Sequence, residues 1–340
     1  MQAGLEGRIQ IRLNLAIRSV SVQTQRPIAA IQKLLVGKTV EQTLERIPLL
    51  FSICGQAQSF AAFLAIQKAL NLPSNAHLYQ AQAQLVQLET QREHVLRILM
   101  DWNTRLGKQP NPHLIQQAMR IVPQARQTWF QGAQAFTLTS ELATADTQRI
   151  DAWEAFLEAH IFAMSLDEWA RLNTLKALQA WIDAQVTVAA KTLAQLQQQQ
   201  LASLGAHEFP LTTEASVLKR QAHQPMMQAA LGHYGNGVFT RYLARLMELA
   251  QPPLMNRATQ QVEAARGSLW HQVQVDTQGL ISHYEIHAPT DLTFAPEGVA
   301  AQGLKTLLQT ASTAELESQA RLWIAALDPC VAYDLELSHA

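Results

Sequence analysis

Cysteine is nearly absent from this sequence: 340 residues carry two, Cys54 and Cys330. Net charge is nearly absent too, with 26 Lys plus Arg against 27 Asp plus Glu. There is no basic excess and no stripe of Lys and Arg interleaved with aromatics, so the chain lacks the footprint of a nucleic-acid binder. No apolar run approaches the roughly 18 residues that span a bilayer. The N-terminus lacks the basic head, apolar middle and small-residue cleavage site of a secretory leader, which points to the reducing cytoplasm, where structural disulfides are rare. Also missing are a Gly-rich phosphate loop, a nucleophile elbow, a C-x-x-C pair and an H-E-x-x-H helix. With the ordinary enzyme motifs gone, the two cysteines are two free thiols or two ligands.

Apolar residues make up 48% of the chain, enough to bury a large core in one domain or in two. "GRIQIRLNLAIRSVSVQTQRP" alternates polar and apolar residues with β-branched enrichment, and reads as a β-hairpin ending at Pro27. From "TVEQTLERIPLL" to about residue 250 the period moves towards 3.6, which predicts a helical bundle. Its long helices are expected in "NAHLYQAQAQLVQLETQREHVLRILMDW" and in "LDEWARLNTLKALQAWIDAQVTVAAKTLAQLQQQQLASLG", with the Gln run at 197–200 as a solvated helix face. Alternation returns in "GSLWHQVQVDTQGLISHYEIHAP", a second hairpin turning at "DTQG". Two helices follow, "EGVAAQGLKTLLQTA" and "TAELESQARLWIAAL", before the closing "DPCVAYDLELSHA". The class is α+β, mainly α.

Three groups of residues are candidates for chemistry. His283, Glu285 and His287 share one face of a strand and could coordinate a metal, or form an exposed polar face. Each cysteine could be a small buried hydrophobe. Against that, Cys54 precedes Gly55 at a helix start, where backbone N–H groups and the helix dipole favour a thiolate. Cys330 follows Asp328-Pro329, which halts the preceding helix and exposes what comes next.

"ICGQA" after "GKTVEQTLERIPLLF", together with "DPC", resembles the cysteine motifs C-G-x-C and D-P-C-x-x-C of the nickel–iron hydrogenase large subunit. "VEAARGSLWH" is similar to that family's E-A-P-R-G-x-L-x-H, and "GLISHYEIHAPTDLTFAPEG" to the strand and A-P-T segment behind it. In the middle of the chain "YGNGVFTRYLARLMELA" matches best. The resemblance implies a single large-subunit-like domain over 1–340, with an N-terminal β-hairpin in 1–36, a helical bundle in 37–265, and a hairpin near 268–288, helices and the Cys motif in 266–340.

The departures fall on the chemistry. Cys54 and Cys330 match the first cysteine of each motif, while Ala57 and Tyr333 stand where the bridging cysteines would be. Two sulfurs so placed cannot build a thiolate-bridged nickel–iron centre. Gln10 replaces the carboxylate of R-I-E-G-H and cannot relay protons. Ala61 and Glu336 occupy the places of two histidines, and Ala265 that of the proline before Arg266. Arg266 and Asp328 are kept; the resemblance implies that Arg266 lies beside the iron's cyanide ligands and Asp328 in the shell behind it. Arg266 is expected to stabilise an anionic iron fragment and to depress thiol pKa values in the same pocket.

This depleted pattern is that of the HupK/HoxV-type hydrogenase accessory proteins. The resemblance implies no hydrogen turnover, but a scaffold on which Cys54 and Cys330 hold an iron carrying cyanide and carbonyl, without nickel, with Arg266 and Asp328 orienting the ligands. Maturation chaperones and the immature large subunit are the implied partners. An ending without a peptide beyond the last motif implies no substrate for a maturation protease. The alternative is a structural or quinone-binding subunit of a complex I-like or hydrogenase-like respiratory assembly.

Overall fold

The fold is a computed structural model that describes residues 7–144, 150–252, 255 and 259–338. Strands β1 (Arg8–Asn14) and β2 (Ser19–Gln25) form the expected hairpin, pairing from Arg8↔Gln25 to Asn14↔Ser19. Period-two alternation drives it: Ile9, Ile11 and Leu13 are buried, while Arg8 and Arg12 face solvent. The helical run then begins earlier than expected, with α1 (Ile28–Leu35) inside the segment read as hairpin. Pro27 sets its first turn, since proline is tolerated where no N–H bond is due.

Helix α2 (Val40–Leu50) opens on a capping box between Thr39 and Gln42. Next come α3 (Gly55–Ala69) and α4 (Ala76–Arg97), the latter capped by Asn75. A π turn at Ile98–Trp102 continues α4 into the short α5 (Asn103–Arg105), so the expected long helix over 75–102 is there. Helices α6 (Pro112–Phe130) and α7 (Asp151–Leu157) lead to α8 (Leu166–Ala170), α9 (Leu175–Ala184) and α10 (Val188–Gln198).

The single long helix expected over 166–205 is therefore three. Thr174 and Thr187 accept the N–H groups of Ala177 and Ala190 as N-caps, and Gln185 takes a left-handed backbone, so local capping beats a periodicity that runs on unbroken. The Gln run ends the last of them. Gln198 to Gln200 are exposed, whereas Gln197 is half-buried and bonds Gln179 and Tyr234.

After α11 (Val217–Gln221) and α12 (Pro225–Tyr234), α13 (Val238–Ala250) runs through the core with Val238 to Leu249 all buried. The second sheet has three strands where two were expected. β3 (Val262–Ala264), placed in the helical segment by sequence, pairs with β4 (Gly267–Val275), which pairs with β5 (Ile281–His287) across the turn at Asp276–Gly279. A short α14 (Pro289–Thr293) precedes α15 (Val299–Thr310) and α16 (Thr313–Leu327), close to their expected spans.

The last strand, β6 (Ala332–Ser338), was not foreseen. It lies parallel to β1, from Arg8↔Ala332 to Asn14↔Ser338, and makes the first sheet β2-β1-β6. Tyr333, Leu335 and Leu337 alternate inward, but a parallel partner from the opposite end of the chain leaves no local signal. This pairing positions the candidate site, because it anchors the segment just after Cys330 beside the N-terminal sheet. Above it α3 packs on β4, and α13 against α16 and α4.

Candidate functional site

Both cysteines lie at helix boundaries. Cys54 is the residue before α3, and Cys330 follows the stop of α16, where Asp328 adopts a left-handed backbone with φ 56° and Pro329 prevents continuation. The fold brings them together: Cys54 and Cys330 line one cavity with Arg26, Ile31, Phe51 and Val331. Its volume is about 20 Å³, room for roughly one water. On its outer side Cys330 also borders an open cleft of about 510 Å³, with Arg97, Asp101, Asp328 and Tyr333.

Each sulfur has a polar neighbour. Gln58, one turn into α3, donates its Nε2–H to Cys54 Sγ at 3.8 Å. Thr290 Oγ1 and Cys330 Sγ share a hydrogen bond of 3.2 Å. The amide of Gln58 is held in turn by His271, 2.8 Å from its Oε1, and His271 by the Tyr284 hydroxyl at 2.7 Å. Neither cysteine is in a disulfide.

The expectation of a depressed thiol pKa is overturned at Cys54. Burial pushes this thiol up to about 12, Cys330 and Glu89 push the same way, and the opposing charge of Arg266 does not compensate. The start of α3 does not rescue it, because its N–H groups are taken. Glu89 on α4 accepts from Gln56 N at 2.9 Å and from Ala57 N at 3.0 Å, so a carboxylate already holds the positive end of the helix. Glu89 is itself raised to about 7 by burial, against the opposing effect of Arg92. The cavity thus holds its inner thiol protonated.

Arg266 and Asp328 meet beneath the cysteines. Arg266 is buried, with Nη1 3.0 Å from Glu93 Oε2 and Nε 3.2 Å from Asp328 Oδ2. Asp328 also receives Arg97 Nε at 2.7 Å. Burial alone would raise its pKa, but Arg266, Arg97 and Arg245 outweigh that and hold the carboxyl below its ordinary range. The charge of Arg266 acts on both thiols, yet two edges of its guanidinium face carboxylates.

The remaining sequence candidates are spread out. Ala57 and Ala61 are buried on α3, Tyr333 borders the outer cleft, Gln10 lies mid-strand in β1, and Glu336 is exposed and paired with Arg12 at 2.9 Å. His283 and His287 bond Glu285 at 3.0 and 3.3 Å on an exposed face of β5, and His287 stacks on Trp270. Among the described residues no three or more His, Cys, Asp or Glu could hold a metal together, so this trio reads as a polar strand face. Sequence reasoning missed Arg26, Gln58, Glu89, Glu93, Arg97 and Thr290, which surround the cysteines only through tertiary contacts; the one local hint is Gln58, a helical turn from Cys54.

No family model matches the chain. The structure superposes on solved hydrogenases: an NAD⁺-reducing [NiFe]-hydrogenase in the H₂-reduced state (TM-score 0.59, 14% identity, 92% of either chain), and the reduced Ni-Fe-Se hydrogenase of Desulfomicrobium baculatum (TM-score 0.60, 11% identity, 92% of this chain and 94% of that one). By sequence the chain is 28% identical to the hydrogenase expression/formation protein HupV of Azotobacter chroococcum, across 99% of this chain and 100% of the relative. Along its whole length this chain is similar to hydrogenase expression/formation proteins. HupK of Azotobacter vinelandii is also 28% identical, over 99% of this chain and 100% of its own, and HoxV of Cupriavidus necator 26%, over 93% and 92%. The resemblance read from the motifs thus extends to the whole chain, on a mainly helical hydrogenase large-subunit fold with small sheets. Among the described residues no helix is long and apolar enough to cross a membrane.

Proposed function

We propose that this protein is a non-catalytic accessory protein of nickel–iron hydrogenase maturation, holding an iron with cyanide and carbonyl ligands through Cys54 and Cys330 before transfer to the immature large subunit. One observation carries this reading: two cysteines from opposite ends of a hydrogenase-like chain line one cavity, while Ala57 and Tyr333 offer no sulfur to bridge a second metal. The end-to-end similarity to expression/formation proteins supports it over a respiratory subunit.

Two thiolates suit temporary custody. Fewer sulfurs hold soft metal less firmly, and nickel is not expected. Binding must also displace the Cys54 proton from a thiol that burial keeps neutral, so retention weakens as pH falls. The cavity between the thiols admits about one water, so loading requires it to widen towards the outer cleft. Maturation chaperones would deliver the fragment, and the immature large subunit would receive it.

Protein isolated anaerobically from cells with the maturation machinery is expected to show infrared bands of iron-bound cyanide and carbonyl. Cys54→Ala and Cys330→Ala should each abolish them, since a two-thiolate site has no spare ligand. Full hydrogenase maturation in cells carrying either variant would overturn the proposal.

A further inference from the structure

We propose that Arg26, rather than Arg266, is the residue that holds an anion in the cavity between the cysteines. Arg26 joins β2 to α1, and its side chain is only 5% exposed. Nη1 donates to Asp291 Oδ1 at 2.8 Å, but the Nε–H is buried without a hydrogen-bond partner. A buried cationic donor left without an acceptor is costly and uncommon. Arg26 lines the same cavity as Cys54 and Cys330, and its charge acts on both thiols.

The rest of the cavity wall explains why the charge counts. Pro27, Ile28, Ile31 and Phe51 give it an apolar, weakly polarisable lining, which strengthens attraction between a guanidinium and an anion. Arg266 is differently placed: its Nε–H, 3.2 Å from Asp328 Oδ2, also lacks an aligned hydrogen bond, but Glu93 and Asp328 occupy two of its edges and its side chain is not among those lining this cavity. A volume of about 20 Å³ admits one small group. The ligand class is therefore a small anion, or an anionic ligand carried on a metal, whose acceptor atom takes the Nε–H. Under the proposed function that atom is the nitrogen of an iron-bound cyanide; this last identification rests on that function, whereas the anion site does not.

The test uses the reduced, metal-free full-length protein and reads alkylation of Cys330 by mass spectrometry. Iodoacetate is anionic and iodoacetamide neutral, and the same sulfur attacks the α-carbon of either and displaces iodide, so the ratio of their rates reports the local preference for an anion. Arg26→Gln should lower this ratio about tenfold, the scale of one nearby charge in a partly buried site. Arg26→Lys should keep most of it, and Asp291→Asn should raise it by removing the competing carboxylate. If Arg26→Gln leaves the ratio unchanged, or if Asp291→Asn lowers it, the ion pair only braces the fold and the inference fails. Should Arg26→Gln not fold, the lysine and asparagine variants still decide, together with azide, a linear anion that should slow alkylation of the wild type by both reagents; no slowing counts against the site. The two proposals fail separately. Expected ratios without infrared bands in the wild type sink the iron reading alone, and cyanide bands unshifted in Arg26→Gln sink the role of Arg26 alone.

Discussion

Glu89 shows how one side chain changes the meaning of its neighbours. It takes the two N–H groups at the start of α3 that would otherwise stabilise a Cys54 thiolate. Its own pKa, ordinarily 4.5, is raised to about 7. The folded state therefore binds this proton more tightly than the unfolded chain, so its contribution to stability is present below pH 4.5 and is lost as pH rises through 7. Glu89→Gln keeps the shape and removes the titration. The difference in unfolding free energy between variant and wild type should swing in favour of the variant across that window, by at most about 1.4 kcal/mol per pH unit. Buried His271 and His207, held down to about 3 and about 4, act in the opposite sense, their stabilisation being lost as pH falls below the ordinary 6.5, but they cancel in the difference. Urea titrations at several pH values would check this; parallel curves for the two proteins would refute it.

Helices α15 and α16 place Cys330 through their packing. Trp323 on α16 donates its indole N–H to Ala300 O at 3.2 Å and lies flush against Gly303 of α15. A Cβ at Gly303 would come within 2.5 Å of three atoms of the indole ring, far inside van der Waals contact. Gly303→Ala sets two effects against each other: alanine favours a helix by about 1 kcal/mol, while overpacking a full core costs about 1–3 kcal/mol. Because the ring is fully buried and cannot swing aside, overpacking is expected to win. Chemical denaturation should show net destabilisation, and a stabilised variant would mean that the helices can part. The three helices at 166–198 carry a different lesson. Their periodicity is continuous, and only the threonine hydroxyls turning back to cap the backbone divide them.

At the scale of the molecule, the parallel pairing of β1 with β6 closes the chain's two ends around the cysteines. Ser338 O accepts from Leu15 N, so in β6 the backbone of Glu336, two residues earlier, also faces β1; Glu336→Pro removes a donor on that side and should release this strand. Cys330 is then expected to alkylate with iodoacetamide at the rate of an unstructured peptide thiol, and Cys54, shielded until then, to follow. Unchanged labelling of both would show that α16 alone holds the site. The exposed pairs Arg8–Asp334 and Arg12–Glu336 across the same strands contribute little by comparison, being open to solvent.

The linear chain already specified its class and most of its elements, because hydrophobic period, capping residues and turn dipeptides are local. The first hairpin, the turn at Asp276–Gly279 and the spans of α15 and α16 follow from neighbours a few residues apart. Cys54, Cys330, Arg266 and Asp328 were legible through motifs, as were the missing sulfurs at Ala57 and Tyr333. What those residues do to one another was not legible. The parallel β6, the carboxylate at the start of α3, the two carboxylates on Arg266 and the unpartnered Nε–H of Arg26 all join residues far apart in sequence. Protonation and charge balance depend on burial and on distances of a few ångströms, and only the packed chain sets these.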